Sequence, residues 1–408
     1  MMQQQKRKQQ LNLKEEHRSG MGQPQLRWRK ALALGGACML ALSLMVNPAY
    51  AAAPASKMAV RMDNQSRSFV PIRFLSGFAG ISLSADAATK QITVVKEDQR
   101  LTLTVGSLTA LVNGSPVKLT AAPYTAEGVT YVPIGFIAGQ LHLALTWNGE
   151  TSSVTIASGD VSADLPVAQG IQDLSATKPV ESGARSFKVG AQTFRTNIVT
   201  VSLLHPKVHL GVALAQGTVG SVQELKSIAM QNKAVVAING TFFDAYTKDS
   251  YKAPYGYIAS GGKLLKNSPG DKRATFTYNS NGLAELVPGF DFKGRFDTGK
   301  VEGALQAGPR LLVDGKVAIN VQEEGFRDPK ILTGGGARSA LGLTKDHKLI
   351  LLTTGGATIP QLAQIMKQAG AYQAMNLDGG ASSGLYYNGK YLTTPGRLIS
   401  NAIIVTLK

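Results

Sequence analysis

One carboxylate in this chain stands where a carboxylate can do chemistry. Asp378 lies in Asn376-Leu377-Asp378-Gly379-Gly380, at the end of the apolar run that begins at Tyr372, and Ala381-Ser382-Ser383 follow it. Taken alone, an Asp-Gly pair is a turn first. Its place after a buried strand gives it a second reading, because the small residues beyond it supply backbone N–H and hydroxyl donors that can hold an oxyanion. The same design occurs earlier, where Ala234-Val235-Val236-Ala237-Ile238 ends at Asn239-Gly240. In both places a polar side chain stands at the end of a buried strand, and the glycine after it lets backbone or ligand approach closely. Many sites are built in this way at the carboxyl ends of strands.

The elements that must position these residues repeat a helix-then-strand order. Ser221 with Glu224 three residues on reads as a capping box, and Val222, Leu225, Ile228 and Ala229 fall on one helical face. The continuous apolar run from Ala234 implies burial on both faces. Further on, Thr358 with Gln361 reads as a second capping box, Ile359, Leu362, Ile365 and Met366 as an apolar face, and Gly370 as its stop. Upstream, Ile198–Leu203 and Val208–Leu214 alternate as strands.

The N-terminal half has its own pattern. Phe69-Val70-Pro71-Ile72-Arg73-Phe74-Leu75 is echoed 62 positions later by Tyr131-Val132-Pro133-Ile134-Gly135-Phe136-Ile137, and each copy runs on into an apolar alternation. Two copies fall short of a solenoid and indicate one small α+β domain with internal symmetry. Before it, eight bases against two acids precede the sixteen-residue apolar run Ala31–Val46, which is followed by Ala49-Tyr50-Ala51. That order is the export pattern with an A-x-A cleavage site, and the run is shorter than the roughly 20 residues of a membrane span. The expected organisation is a signal peptide over 1–51, the repeat-bearing domain over 52–157, a Ser-, Ala-, Asp- and Pro-rich linker over 158–182 and a second domain over 183–408. Membrane contact is expected only during export, and the mature protein is expected to be secreted or wall-associated.

Charge and cysteine usage narrow the partners. The formal net charge is +17, and most of the excess survives cleavage. For an exported protein such a surface points to anionic cell-wall or capsular glycan, and no nucleic-acid motif accompanies it. Cys38 is the single cysteine and lies inside the apolar run, so the mature chain has no disulfide. No metal or cofactor signature stands out. His205 and His209 would pair on a helix, but Pro206 and the β-pattern argue against one. Gly334-Gly335-Gly336 lacks the lysine and helix of a phosphate loop and reads as a flexible turn leading to Arg338.

Five segments in order carry a resemblance: AINGTFF at Ala237–Phe243, AGPRLLVDGK at Ala307–Lys316, ARSALGL at Ala337–Leu343, NLDGGASS at Asn376–Ser383 and PGRLISNAIIV at Pro395–Val405. Together they resemble the phosphodiester glycosidase family, whose usual NLDGGGS is matched except at Ala381. The repeat-bearing segment resembles the copper amine oxidase N-terminal-like stalk domain. His142 is its only histidine and cannot make a copper site alone, so a structural or wall-contacting module is implied.

The resemblance implies an α+β glycosidase domain with a mixed sheet that hydrolyses sugar-1-phosphodiester linkages without a cofactor. A phosphate leaves as a stabilised anion, so protonation of the leaving oxygen matters less than in an ordinary glycoside. Asp378 is implied as nucleophile or general base, with retention or inversion open, and Arg338 and Arg397 as the forks that hold phosphate. Asn239 is either the orienter of sugar hydroxyls or water, or a strand-end turn residue. Gly240, Gly379, Gly380, Ser382 and Ser383 are implied as the substrate-contacting loops, and Asp244 and Asp271 are unassigned acids nearby. The alternatives are a non-catalytic glycan-binding module of the envelope and an exopolysaccharide assembly factor that transfers sugar to an acceptor other than water.

Overall fold

The repeated Phe-Val-Pro and Tyr-Val-Pro segments pair with each other. In the computed structural model, which describes residues 57–171 and 173–408, strands Ser68–Pro71 and Val129–Pro133 run antiparallel with Val70 opposite Val132. Each leads into a helical segment, Ile72–Gly77 or Ile134–Leu141. Val70, Val132, Leu75 and Ile137 are all buried in one core, so the internal symmetry is a packing device. The expected signal peptide lies outside the described residues.

The segment 158–182, expected as a linker, contains regular secondary structure. Val161–Gln169 is a strand that pairs antiparallel with Ser153–Ser158 and parallel with Val60–Met62. Leu165 and Val167 point inward while small and polar residues alternate with them, so the strand was masked by its weak hydrophobicity. Beyond it, Asp173 accepts from Ser175 N to cap a short turn, and a ten-residue strand begins at Val180.

Residues from there on form three sheets. A seven-stranded sheet has Gln192–Ser202, Lys348–Ala357, Gly336–Leu343 and Gln373–Asn376 as consecutive members. A five-stranded sheet centres on Asn401–Leu407 and Val236–Asn239, and another on Gly303–Gln306. Val201, Ile238, Phe276, Leu305, Leu351, Met375 and Ile403 bring all three into one core. Every strand pairing after residue 180 is antiparallel, which corrects the expected mixed sheet: even strands far apart in the chain, such as Gln192–Ser202 and Lys348–Ala357 or Val208–Leu214 and Asn401–Leu407, are brought together by long connections to run in opposite directions. The described residues are also β-rich, 45% strand against 15% helix, so α+β overstates the helices.

The two expected helices fare differently. Ile359–Gln368 carries both bonds of the Thr358/Gln361 capping box and buries Ile359, Leu362, Ile365 and Met366 on the seven-stranded sheet. The other starts at Leu225, three residues later than Ser221 as its N-cap implies, because Gln223 exchanges backbone hydrogen bonds with Ile399. That pairing holds 221–224 extended, and Ser221 caps nothing.

His347 ties the C-terminal sheets to the N-terminal module. The ring is buried, with Nε2 3.1 Å from Ser152 O and 3.2 Å from Val167 O, and Lys300 pairs nearby with Asp164. Burial holds its pKa below the ordinary 6.5, against the pull of the two carbonyls and Asp346. The folded state therefore binds a proton less readily than the unfolded chain, and this group's contribution is lost as pH falls below the ordinary value. His347→Gln is expected to lower stability at pH 8 by about 1 kcal/mol and to flatten the loss between pH 7 and 5. Urea melts at both pH values check this, and an unchanged acid slope would refute it.

Candidate active site

The two strand ends singled out in the sequence lie side by side. Asp378 N donates to Gly240 O at 3.0 Å, and Asn239 Nδ2 donates to Asp378 O at 2.7 Å. The NLDGG turn is thus held by the earlier Asn-Gly turn. Leu377 N reaches Ser339 O at 2.8 Å, so the strand carrying Arg338 fixes the same turn from its other side. Gly379 needs its missing side chain, since a Cβ would sit 3.0 Å from Ala337 O, and Gly380 turns with φ +62° into a 3-10 segment containing Ser382.

In front of this turn opens a cleft of about 1120 Å³. Asp378, Gly379, Gly380 and Ser382 form part of its wall, with Arg338 and Arg397 beside them. Burial pushes the Asp378 carboxyl up to about 7, opposed by the Ser382 side chain, the Gly379 N–H and the charge of Arg397. Near neutral pH the group is poised between acid and base, as acid–base or nucleophilic work requires.

Neither arginine has a carboxylate partner among the described residues. Arg338 is buried and held by carbonyls alone: Nε donates to Ala357 O at 2.9 Å, and Nη2 to Lys330 O and Gly334 O, both at 2.7 Å. Its Nη1 lies next to Gly379. Arg397 Nη2 donates to the hydroxyl of Tyr246 at 2.9 Å. Structural ion pairs therefore account for neither residue, and both charges remain available to an anion.

Three expected contacts need correction. Asn239 is fully buried and does not line the cleft. Its Oδ1 accepts from Ser339 Oγ at 2.6 Å and Gly384 N at 3.0 Å while Nδ2 holds Asp378 O, so it fixes the turn from behind. Gly240 is packed inside the protein, where a Cβ would lie 2.1 Å from Asn401 Oδ1 and 2.6 Å from Leu305 Cδ1. Ser383 is buried and does not line the cleft, and its Oγ has no partner among the described residues.

Of the unassigned acids, Asp271 is committed to Arg273, with which it forms an ion pair, and Asp244 lines the cleft with Oδ1 accepting from Thr247 N. A third, Glu324, was not foreseen. It lines the same cleft, accepts from Arg310 N at 2.6 Å and Ala274 N at 2.9 Å, and is pushed up by burial. Nothing local marks it, because Glu323-Glu324 sits in a polar loop. Among the described residues no group of three His, Cys, Asp or Glu is placed to hold a metal ion.

Residues 232–406 match the family model for phosphodiester glycosidase, and residues 53–156 match that for the copper amine oxidase N-terminal domain. No curated protein matches the chain. A crystal structure of a hypothetical protein from Synechocystis is similar over 84% of this chain and 94% of that one, at 17% identity and a TM-score of 0.50. The catalytic domain of zebrafish N-acetylglucosamine-1-phosphodiester alpha-N-acetylglucosaminidase, auto-inhibited by its pro-peptide, is similar over 57% of this chain and 85% of that one, at 24% identity and a TM-score of 0.49.

Proposed function

We propose that this protein hydrolyses sugar-1-phosphodiester linkages in cell-wall or extracellular polysaccharide, as an exported enzyme. The observation that carries the reading is a single cleft in which a carboxyl with a pKa near 7 stands beside two guanidinium groups that have no carboxylate ion-pair partner among the described residues. The match of residues 232–406 to the phosphodiester glycosidase model supports the reaction class. Asp378 attacks the anomeric carbon directly or takes a proton from the attacking water. The bond between that carbon and the phosphate oxygen breaks, and its electron pair leaves on the phosphate. Arg338 and Arg397 meet the charge that develops there, in a cleft partly screened from water. The overall excess of base suits a polyanionic substrate outside the cell.

The test is release of free sugar from α-N-acetylglucosamine-1-phospho-methyl ester and from teichoic and capsular fragments. If Asp378 acts ionised, kcat/KM is expected to rise with pH along a limb with an apparent pKa of about 7. A limb that instead falls through that pH would assign Asp378 as a proton donor. Glycan binding without release of sugar from any substrate would establish a binding module in place of an enzyme.

A further inference from the structure

Tyr246 is 77% exposed, yet it is fixed at two points by one cation. Its hydroxyl accepts from Arg397 Nη2 at 2.9 Å, and the guanidinium carbon lies 4.8 Å from the centroid of its ring. Both residues line the cleft that holds Asp378, and they come from segments 151 positions apart in the chain. A guanidinium held by a carboxylate has its charge neutralised. One held by a phenol and an aromatic face keeps its charge and its remaining donors.

The hydroxyl that accepts from Arg397 still has its own hydrogen to donate. Arg397 and then Lys330 draw the phenol toward its ionised form, while Asp378 opposes them, so this oxygen lies in a positive field at the edge of the carboxyl's reach. An arginine already fixed in place also loses less freedom when an anion arrives.

We propose that Tyr246 and Arg397 act as one anion-holding unit, in which Tyr246 is the positioning residue that aims Arg397 at a phosphate oxygen beside Asp378. This rests on reading the cleft as a phosphodiester site. Its ligand class is a sugar bearing an anomeric phosphate, and the unit contributes nothing toward the same sugar without phosphate.

The experiment is a double-mutant cycle on the full chain, with affinity for α-N-acetylglucosamine-1-phosphate measured by calorimetry. Tyr246→Ala is expected to weaken binding about tenfold in the wild-type background and by less than about twofold in an Arg397→Gln background. Tyr246→Phe keeps the ring under the guanidinium and is expected to fall between wild type and Tyr246→Ala. Affinity for free N-acetylglucosamine is expected to be unchanged throughout, which a merely structural role for Tyr246 does not predict. Equal losses in both backgrounds, or none in either, overturn the unit while leaving the phosphodiester reading intact. Absence of sugar-phosphate binding by the wild type overturns that reading, and the unit with it.

Discussion

Asp378→Asn is expected to lower kcat by about 10²–10⁴-fold and at the same time to make the protein more stable above neutral pH. The first effect follows from chemistry, since an amide can neither attack the anomeric carbon as a carboxylate nor accept a proton from water. The substitution keeps the shape of the side chain. The backbone bonds that hold the turn, Asp378 N to Gly240 O and Asn239 Nδ2 to Asp378 O, do not involve the carboxyl.

The second effect follows from linkage. Burial moves the carboxyl from its ordinary 3.8 to about 7 in the folded state. Between those values the folded protein holds a proton that the unfolded chain has released, so stability falls as pH rises and the full cost is present above about 7. A shift of this size, discounted because the side chain is partly exposed to the cleft, corresponds to a cost on the order of 1–3 kcal/mol. Asn does not titrate. The variant should therefore melt higher than wild type at pH 8 and match it near pH 4. Equal melting at both pH values, or retained turnover, would remove Asp378 from the centre of the site. A gain in stability with loss of turnover is the mark of a group held against its preferred state for function.

The parts of this structure that could be read from sequence are those set by near neighbours. The Thr358/Gln361 box is complete within four residues, and nothing distant competes for it. The Ser221 box looks equivalent, but Gln223 pairs with Ile399, far along the chain, and that partner is invisible locally. The strand hidden in the expected linker gives the same lesson, because its second half, from Val167 to Gln169, pairs with Val60–Met62, a hundred residues earlier. At the site, the polar residues at two strand ends were legible as types. That they grip one another was not, since Asn239 and Asp378 are 139 positions apart. Glu324 and Tyr246 were missed for the same reason: each draws its setting from segments that only the fold brings together.

Asn239→Ala separates the two readings of that residue. If its amide oriented substrate, its loss would leave the fold intact and lower activity alone. The structure gives it a different task, joining Val236–Asn239 of one sheet to Ser339 of another and to the turn on either side of the 3-10 segment. Truncation leaves Asp378 O, Ser339 Oγ and Gly384 N without this fully buried partner, each at about 1–3 kcal/mol before relaxation. The three losses are coupled, so the expected total is about 3–5 kcal/mol, a large part of the stability of a typical domain. Activity falls too, because the Asp378 turn loses one of its holders, and the fall should track the melting transition as temperature is raised. Asn239→Asp is expected to do no better. It sets an acceptor against the Asp378 carbonyl and buries a charge that no cation meets. Denaturant melts and turnover measured together decide the matter: lost turnover in a variant of wild-type stability would return Asn239 to the substrate, whereas joint loss makes it the clamp on which the position of Asp378 depends.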